Sequence, residues 1–367
     1  MRHILIVLLL ILTSLGYAAD RHMLRLPDIE GYHIVKCDLH NHTVFSDGLV
    51  WPDFRILEAW VTGLDALAIT DHIEYLPHSG DISADHNRSY DLARKPAQQA
   101  GIILIKGSEI TRDMPPGHFN ALFLTDSNAL DTETWQDAIQ AAYDQDAFII
   151  WNHPGWKGQQ PDGIARWYDE HEGLVQKGML HGIEVVNSNE YYPEAHQWCL
   201  DKQLTMIGTS DIHGTIAMEY NQGPDDHRPM TWVLVEEVNK QSIKHALMNQ
   251  QTLVYWRDQI IGLEKYVRPF FKAAVEIKTP AINRRTSRSV EIANPTDLPF
   301  ELELLQSTTG VSAPARVTLK PGTIQSLSLG FDKQESYETI ELQYEVTNLR
   351  IAPDSGLSVS WEFTVIE

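Results

Sequence analysis

The sequence is poor in cysteine and lacks the common catalytic loop motifs. Cys37 and Cys199 are the only cysteines in 367 residues, which excludes a disulfide-rich scaffold. These two could form one disulfide, but we favour two buried free thiols. The sequence has no G-x-S-x-G nucleophile elbow and no glycine-rich phosphate loop ending in Lys-Ser or Lys-Thr. A covalent enzyme intermediate is therefore not required.

Positive charge is also scarce. The chain has 29 Lys and Arg against 50 Asp and Glu, for a formal net charge of -21 at pH 7. Nonspecific binding to nucleic acid or to an anionic membrane needs a basic surface, so both partners are disfavoured. An anionic small-molecule substrate is still compatible, because clustered divalent cations dominate the charge of their own pocket.

The longest unbroken apolar run lies at the N-terminus. Residues 1–3 are basic, residues 4–12 are apolar and residues 13–19 are mostly small. This order predicts a secretory signal peptide over residues 1–19, and the apolar run is short for a membrane span. A retained membrane anchor is the alternative. We therefore expect an exported protein, either periplasmic or secreted.

Strand-like and helix-like segments alternate over residues 20–268. Continuous apolar strands separated by amphipathic helices indicate parallel βα units, in a barrel or a doubly wound sheet. The predicted strands are HIVKCDLH, ALAITDH, IILIKGSEI, FNALFLT, FIIWNHP, GIEVVNS, TMIGTSD and TWVLVEE. The predicted helices are WPDFRILEAWVTG, TETWQDAIQAAYDQ, EAHQWCLDKQ and NKQSIKHALMNQ.

The pattern changes near residue 268. From Val275 onward, short alternating segments are separated by Pro, Gly, Asn and Asp, which predicts a small antiparallel β-sandwich over residues 269–367. This region contains no histidine, so we expect it to supply no metal ligand. It should pack against the first domain through Tyr266, Phe270 and Phe271.

Nine metal-capable side chains follow the predicted strands or lie in tight loops. Imidazole and carboxylate groups are the usual ligands of zinc, manganese and iron, and nine such placements by chance are improbable. Ligands at several strand ends favour a barrel, because its βα loops meet at one mouth. The predicted ligands are His40, His42, Asp47, His72, Glu109, His118, His153, Asp211 and His213.

The spacing of these residues suggests how they group. His40 and His42 are two apart on an extended segment, so both can face the same side. Glu109 is the only glutamate of the set, and a bridging carboxylate would hold two cations about 3.5–4 Å apart. His118 begins its apolar run rather than ending it, so a loop through residues 114–117 must return it to the site.

These motifs resemble those of the PHP (polymerase and histidinol phosphatase) phosphoesterase family over residues 32–257. The resemblance implies a distorted (β/α)7 barrel that binds three divalent metal ions (Zn, Mn or Fe). With its signal-like segment and C-terminal β domain, the chain is also similar to exported phosphodiesterases sometimes grouped as Sb-PDE. The resemblance implies one ion held by His40, His42, Glu109 and Asp211, a second by Glu109, His118 and His153, and a third by Asp47, His72 and His213.

The implied reaction is hydrolysis of a small phosphate ester, a phosphodiester rather than a monoester. A hydroxide bridging two divalent ions has a pKa near about 7 and can attack without a strong protein base. We expect Glu109, Asp211 and His213 to be central to catalysis. A metal-dependent carboxylic ester, lactone or amide hydrolase is one alternative, and a non-catalytic, metal-stabilised binding protein is another.

Two further sets of residues are candidates for supporting roles. The loops after His72, Glu109 and His153 should line the mouth of the site. Asp38, Asp71 and Asn152 flank predicted ligands and could orient their imidazoles. The candidate substrate-binding residues are Arg88, Arg112, Trp156 and Lys157, which could grip phosphate or an organic substituent, and His78, a possible proton donor.

Overall fold

The computed structural model describes residues 20–366 except 222, 224–225, 280, 284–287 and 333–334. The predicted signal peptide, residues 1–19, lies outside the described residues. No helix in the described part of the chain combines the length and the apolar character needed to cross a membrane.

The first domain is an α/β barrel whose strands are short and almost wholly buried, since helices cover their outer face. Its strands are β1 (His33–Asp38), β2 (Ala66–Ile69), β3 (Ile103–Ile110), β4 (Phe119–Leu122), β5 (Phe148–Trp151), β6 (Gly182–Asn187), β7 (Glu190–Tyr191), β8 (Thr205–Thr209), β9 (Met230–Val235), β10 (Thr252–Trp256) and β11 (Gln259–Gly262). Its helices are α1 (Pro52–Val61), α2 (Arg88–Ala100), α3 (Trp135–Tyr143), α4 (Asp169–Gln176), α5 (Pro193–Lys202), α6 (Ile216–Glu219), α7 (Lys240–Met248) and α8 (Glu264–Ala274).

The barrel follows the order β9-β1-β2-β3-β4-β5-β6-β8. Pairs β1–β2, β2–β3, β5–β6 and β6–β8 are parallel, as the sequence predicts. Strand β4 is antiparallel to both neighbours and β9 is antiparallel to β1, so these two predicted strands depart from the parallel pattern and distort the barrel. Thr231 and Thr252 bridge β8 to β9 and β10, because their hydroxyls donate to the carbonyls of Gly208 and Met206 at 2.8 and 2.9 Å.

The antiparallel course of β4 explains the position of His118. The chain turns after β3 through residues 111–118 and returns alongside it, with Ile110 opposite Phe119. His118, at the start of β4, therefore comes back beside Glu109 near the end of β3. The predicted return loop is confirmed.

The C-terminal part is a β-sandwich, as predicted, with side chains alternately buried and exposed along its last strand. One sheet joins β15, β17, β20 and β21, with β13 at its edge, and a second has the order β12-β14-β18. Its strands are β12 (Glu276–Ile277), β13 (Ala281–Asn283), β14 (Ser289–Asn294), β15 (Phe300–Ser307), β16 (Val311–Ser312), β17 (Arg316–Leu319), β18 (Thr323–Ser328), β19 (Gly330–Phe331), β20 (Thr339–Ala352) and β21 (Ser355–Ile366).

The two domains share a hydrogen-bonded sheet. Strand β11 pairs in parallel with β20, placing Ile260 opposite Leu349 and Ile261 opposite Arg350. Helix α8 spans the predicted boundary at residues 268–269 and buries Phe270 and Phe271 in the core common to both domains. The sandwich is thus attached to the barrel by backbone pairing as well as by apolar packing.

Both cysteines are buried and free. Cys37 lies in β1 and Cys199 in α5, each surrounded by apolar core residues. The prediction of two buried free thiols is confirmed.

Candidate metal centre

The ligand-bearing loops after β1 and β8 are hydrogen-bonded to each other. The amide of His42 donates to Ile212 O at 3.1 Å, and the amide of Asp211 donates to His40 O at 3.0 Å. The two motifs with two-residue spacing therefore run side by side and present their side chains to the same space. A similar backbone bridge joins His72 to Glu109.

His40, His42 and Asp211 form a compact set of donors. The Nε2 atoms of the two histidines are 3.0 Å apart, and Asp211 Oδ1 is 3.2 Å from His40 Nε2 and 3.0 Å from His42 Nε2. Both histidines are fully buried. Such close approach of imidazole nitrogens and a carboxylate oxygen is what a shared cation requires.

Glu109 lies between two pairs of imidazoles. Its Oε2 is 3.5 Å from Nε2 of both His40 and His42. Its Oε1 is 3.1 Å from His118 Nδ1 and 3.4 Å from His153 Nε2. The two oxygens of this buried carboxylate face different histidine pairs, as a bridging ligand must.

Asp47 lies among the two remaining histidines, His72 and His213, and also faces His42. Its Oδ1 is 3.2 Å from His213 Nε2, 3.5 Å from His72 Nε2 and 3.8 Å from His42 Nδ1. The adjacent Gly48 is required sterically, because a Cβ there would lie 2.6 Å from the carbonyl carbon of His42. The loop from His42 to Gly48 thus folds tightly enough to return Asp47 to the histidines.

The structure brings all nine predicted ligands together, eight of them in three groups and Asp211 beside His40 and His42. Within each of three groups, the candidate ligand atoms lie within 4.8 Å of one another. His42 faces two groups, whereas the family resemblance implied only one. The groups are His40, His42 and Glu109; Glu109, His118 and His153; and His42, Asp47, His72 and His213.

Three buried oxygens in this cluster fit a cation rather than a hydrogen bond. Asp47 Oδ1, Glu109 Oε2 and Asp211 Oδ1 make no well-formed hydrogen bond with any described residue. Leaving buried carboxylate oxygens in this state is costly, but a divalent cation satisfies oxygen lone pairs directly. Because each oxygen also faces imidazole nitrogens, the donor set fits a divalent transition metal.

Opposite charges balance in the cluster. Burial raises the pKa of Glu109, but the charges of His72, His40 and His118 outweigh it and hold that pKa well below its ordinary value. Burial lowers the pKa of His72, yet Glu109 and Asp47 raise it overall to about 10. Without metal, Glu109 is therefore paired with protonated His72, whose proton must leave when that histidine binds a metal. Burial and the charges of His72 and His213 lower the pKa of His42 to about 3, so this imidazole is neutral.

Glu184 is a functional residue that the sequence analysis missed. Its fully buried carboxylate is 2.8 Å from His40 Nδ1, and it accepts from the amide of His153 at 2.7 Å and from Thr209 Oγ1 at 2.6 Å. A carboxylate on the far nitrogen of a ligating imidazole fixes the tautomer and orientation of the ring. Glu184 thus directs His40 Nε2 towards the centre.

The three candidate supporting residues also lie beside the ligands. Asn152 donates to Glu109 Oε1 at 2.9 Å. Asp71 accepts from the amide of Thr43 at 2.6 Å, which fixes the loop that follows His42. Asp38 is buried in an ion pair with Arg228, a residue that the sequence analysis did not single out.

Two predicted ligands have unusual backbone conformations. His153 has φ 28° and Asp211 has φ 51°, a region that residues with a Cβ rarely adopt. Both follow buried strands whose pairing holds them in place. Such strain commonly marks functional positions, since the chain accepts it only where a side chain must point in one direction.

The centre opens into a cavity of about 530 Å³. Trp156 and Lys157 line it, as predicted, and the Trp156 ring lies 5.8 Å from His118 and 5.4 Å from His153. Residues 187–190, from the end of β6 to the start of β7, line it too and were not predicted.

The other three candidate substrate residues are not among those that line this cavity. Arg112 forms an ion pair with Glu74 at 2.9 Å and donates to two backbone carbonyls, so it stabilises loops. His78 and Arg88 are exposed, in the loop before α2 and at its first residue.

The similarities to known proteins cover both domains. The DUF5001 family, described as an Ig-like domain, matches residues 275–362. No curated protein sequence matches the chain. A crystal structure from Bacteroides vulgatus ATCC 8482, a two-domain protein containing a predicted PHP-like metal-dependent phosphoesterase, shares 47% identity and a TM-score of 0.90. That match covers 94% of this chain and 100% of the other.

Two other solved structures show a weaker likeness. A protein of Bifidobacterium adolescentis ATCC 15703, assigned as a metal-dependent phosphoesterase, has 18% identity and a TM-score of 0.40, covering 49% of this chain and 88% of its own. An amidohydrolase of Chromobacterium violaceum with bound sulfate and no metal has 16% identity and a TM-score of 0.37, covering 48% and 87%. Neither supports a conclusion about chemistry. The 47% identity to the Bacteroides vulgatus protein extends over nearly the whole chain. It shows that this chain belongs to the PHP family of metal-dependent phosphoesterases.

Proposed function

We propose that this phosphoesterase is an exported phosphodiesterase that uses three divalent ions. The observation that carries the proposal is Glu109, whose two carboxylate oxygens face separate histidine pairs at the base of an open cavity. When bound, such ions supply a hydroxide nucleophile at neutral pH and neutralise charge on phosphoryl oxygens.

The chain's own residues hold and shape this site. Glu109 and Asp211 would bind the ions between His40, His42, His118 and His153, while Asp47, His72 and His213 would bind the third. Glu184 keeps His40 in one orientation through its 2.8 Å contact with Nδ1. Trp156 shields one side of the cavity and offers an aromatic face to an organic substituent.

The charge of the cavity lining outside the ligand set supports a diester. Of the four carboxylates in the described lining, Asp47, Glu109 and Asp211 would be bound to the ions, which leaves the negative charge of Glu190 and one basic side chain, Lys157. A phosphodiester carries one negative charge, whereas a monoester carries nearly two at neutral pH. The singly charged ester meets less repulsion from Glu190, which is outside the predicted ligand set.

The test is a comparison of esters on protein reconstituted with zinc, manganese or iron. We expect kcat/KM to be higher for bis(p-nitrophenyl) phosphate than for p-nitrophenyl phosphate. A clear preference for the monoester would refute the diester assignment. Faster hydrolysis of p-nitrophenyl acetate than of either phosphate would instead favour acyl chemistry.

Export rests on the order of basic, apolar and small residues over 1–19. Expression of the full chain with a C-terminal tag should yield a mature protein that begins after Ala18 or Ala19, recovered outside the cytoplasm. N-terminal sequencing distinguishes this from a retained anchor, which would leave Met1 in a membrane fraction.

A further inference from the structure

One wall of the cavity is a hairpin formed by β6, a two-residue turn and β7. Asn187, Ser188, Asn189 and Glu190 all line the cavity, and Asn187 pairs with Glu190 across the hairpin. None of these residues belongs to the predicted ligand set. The proposed ions would hold the phosphate, so this hairpin, which lies outside the ligand set, is placed to contact the organic part of an ester.

The hairpin wall is held by two sets of contacts. Asn187 donates to Glu184 at 2.8 Å and to Asp211 at 3.3 Å, so it is fixed to the metal centre. The outer contacts are made by Tyr191, which pairs with Val186 at the base of the hairpin, and by Asn189 at its tip, and they lead away from the centre. Loss of an outer contact can therefore move the hairpin while leaving the metal ligands in place.

The first of these outer contacts comes from the Ig-like domain. Arg350, on β20, places its guanidinium 5.2 Å from the centre of the Tyr191 ring. Tyr191 is also fixed by its hydroxyl, 2.9 Å from His196 Nδ1, and by stacking against Trp256 at 6.3 Å. A guanidinium over a half-buried tyrosine ring is a favourable cation–π contact.

A second route reaches the tip of the hairpin. Asn348, also on β20, donates to Asp258 O at 2.9 Å in the turn between β10 and β11. The preceding residue of that turn, Arg257, donates to Asn189 Oδ1 at 3.2 Å. The Ig-like domain thus contacts both the base and, through one turn, the tip of the same hairpin.

We propose that the Ig-like domain determines substrate selectivity by positioning the β6–β7 hairpin, with Arg350 as the positioning residue. This inference rests on the proposed phosphodiesterase function, since it assigns the hairpin to the substituent of the ester that does not leave. Arg350 itself is neither a predicted ligand nor one of the residues that line the cavity in the described part of the chain.

The test compares Arg350→Ala with Arg350→Lys and with Arg316→Ala as a matched control. Arg316 is an exposed arginine of the same domain, paired with Glu303. Bis(p-nitrophenyl) phosphate and methyl p-nitrophenyl phosphate share a leaving group and differ in the substituent that stays. For Arg350→Ala we expect KM for the larger ester to rise roughly three- to thirtyfold, with kcat and metal content little changed.

The methyl ester should change less than about twofold, because it does not reach the outer wall. Arg350→Lys should retain most of the selectivity, since an ammonium also binds over a tyrosine ring. Equal effects on both esters, or none on either, would overturn the proposal. If Arg350→Ala does not fold, Tyr191→Leu removes the same contact from the other side and should give the same selectivity change.

Hydrogen exchange separates this inference from the proposed function. Amide exchange in residues 187–191 should accelerate in Arg350→Ala and stay unchanged in Arg316→Ala, whether or not an ester is hydrolysed. A wild-type protein inactive on both diesters would refute the proposed function, while unchanged exchange in Arg350→Ala would refute the positioning role.

Discussion

At the scale of single residues, the centre depends most on Glu109. Its carboxylate is 1% exposed and lies within 3.5 Å of five predicted histidine ligands. No other carboxylate in the described cluster contacts as many imidazoles. Loss of its charge would therefore disturb more than one of the three proposed ions.

Glu109→Gln should lower kcat/KM on bis(p-nitrophenyl) phosphate by roughly a thousandfold or more, because a neutral amide is a poor bridging ligand. Metal analysis of the same sample should show fewer ions per chain than in the wild type. Glu303→Gln, on the exposed face of β15, is the control and should match the wild type in both respects. Full metal content with normal activity in Glu109→Gln would show that this carboxylate is not a bridge.

Glu184 offers a more graded test. Glu184→Gln keeps the size of the side chain but weakens the contact with His40 Nδ1, so we expect metal affinity or kcat/KM to fall roughly 10- to 100-fold. A competition titration with a metal chelator measures the affinity directly. Glu172→Gln, whose carboxylate pairs with Lys202 at the surface, should leave the titration unchanged. Equal affinities for the Glu184 variant and the wild type would reduce its role to packing.

The sequence predicts the nine side chains that the structure brings together, but not Glu184. These nine could be predicted because histidine and carboxylate groups rarely recur at the ends of successive apolar strands by chance. Glu184 could not, since a single glutamate within GIEVVNS fits a strand with one solvated position. Its burial follows from contacts with residues 31 and 144 positions away, which no local pattern encodes.

At the scale of elements, helix α1 contacts the backbone of the two ligand-bearing loops that follow β1 and β8. Its buried Arg55 donates to the carbonyls of His42 at 2.8 Å, Ile212 at 3.0 Å and His213 at 2.9 Å. Glu58, one turn along, pairs with Arg55 at 2.7 Å and accepts from the amide of Ile216 at 2.7 Å. The helix thus fixes the spacing between the loops after β1 and β8.

Arg55→Met should reduce the free energy of unfolding by about 3–5 kcal/mol, because it leaves Glu58 as a buried charge without its partner. It should also weaken binding of the third proposed ion, because the loops that carry Asp47 and His213 lose a common anchor. Urea denaturation and metal analysis measure the two effects. Arg88→Met, at the exposed start of α2, is the control. Unchanged stability in Arg55→Met would mean that the loops keep their geometry without α1.

The predicted elements succeeded where periodicity was strong. All eight predicted strands of the barrel occur, whereas α2 is not predicted, because only Ser89, Ala93 and Ala97 are buried on it. The β10–β11 hairpin was missed because its turn uses Arg257 and Asp258, both with positive φ, in place of the usual Asn-Gly. Small buried residues and atypical turns carry little signal in a sequence.

At the scale of the whole molecule, stability should depend on bound metal. The barrel mouth holds three buried carboxylate oxygens without well-formed hydrogen bonds among the described residues, and an ion that binds only the folded state stabilises it. Chelation should lower the melting temperature by roughly 5 °C or more, and adding back zinc or manganese should restore it with close to three ions per chain.

Calorimetry with parallel metal analysis measures both quantities. Glu109→Gln provides the comparison, since the melting temperature of a protein that binds fewer ions should fall less on chelation. Saturation near one ion per chain would refute the three-ion proposal.

The presence of a second domain was predictable, but its attachment was not. Alternation of apolar and polar residues identified the sandwich, because one face of each strand is buried. Pairing between Ile260 and Leu349 joins positions far apart in the sequence, and neither segment differs from an ordinary strand. The contact of Arg350 with Tyr191 depends on that pairing, so it could not be predicted from the sequence either.

Because β11 pairs with β20, each domain also covers a strand edge of the other domain. Separated, the barrel would expose the backbone groups of β11 and the sandwich those of the last part of β20, and such edges recruit other strands. When the barrel and the sandwich are produced as separate fragments in one cell, they should therefore bind each other and reassemble. The matching edges, the apolar contacts of α8 and the Arg350–Tyr191 contact all favour the native partner. The chain is well suited to fragment complementation, with phosphoesterase selectivity as the readout of correct reassembly.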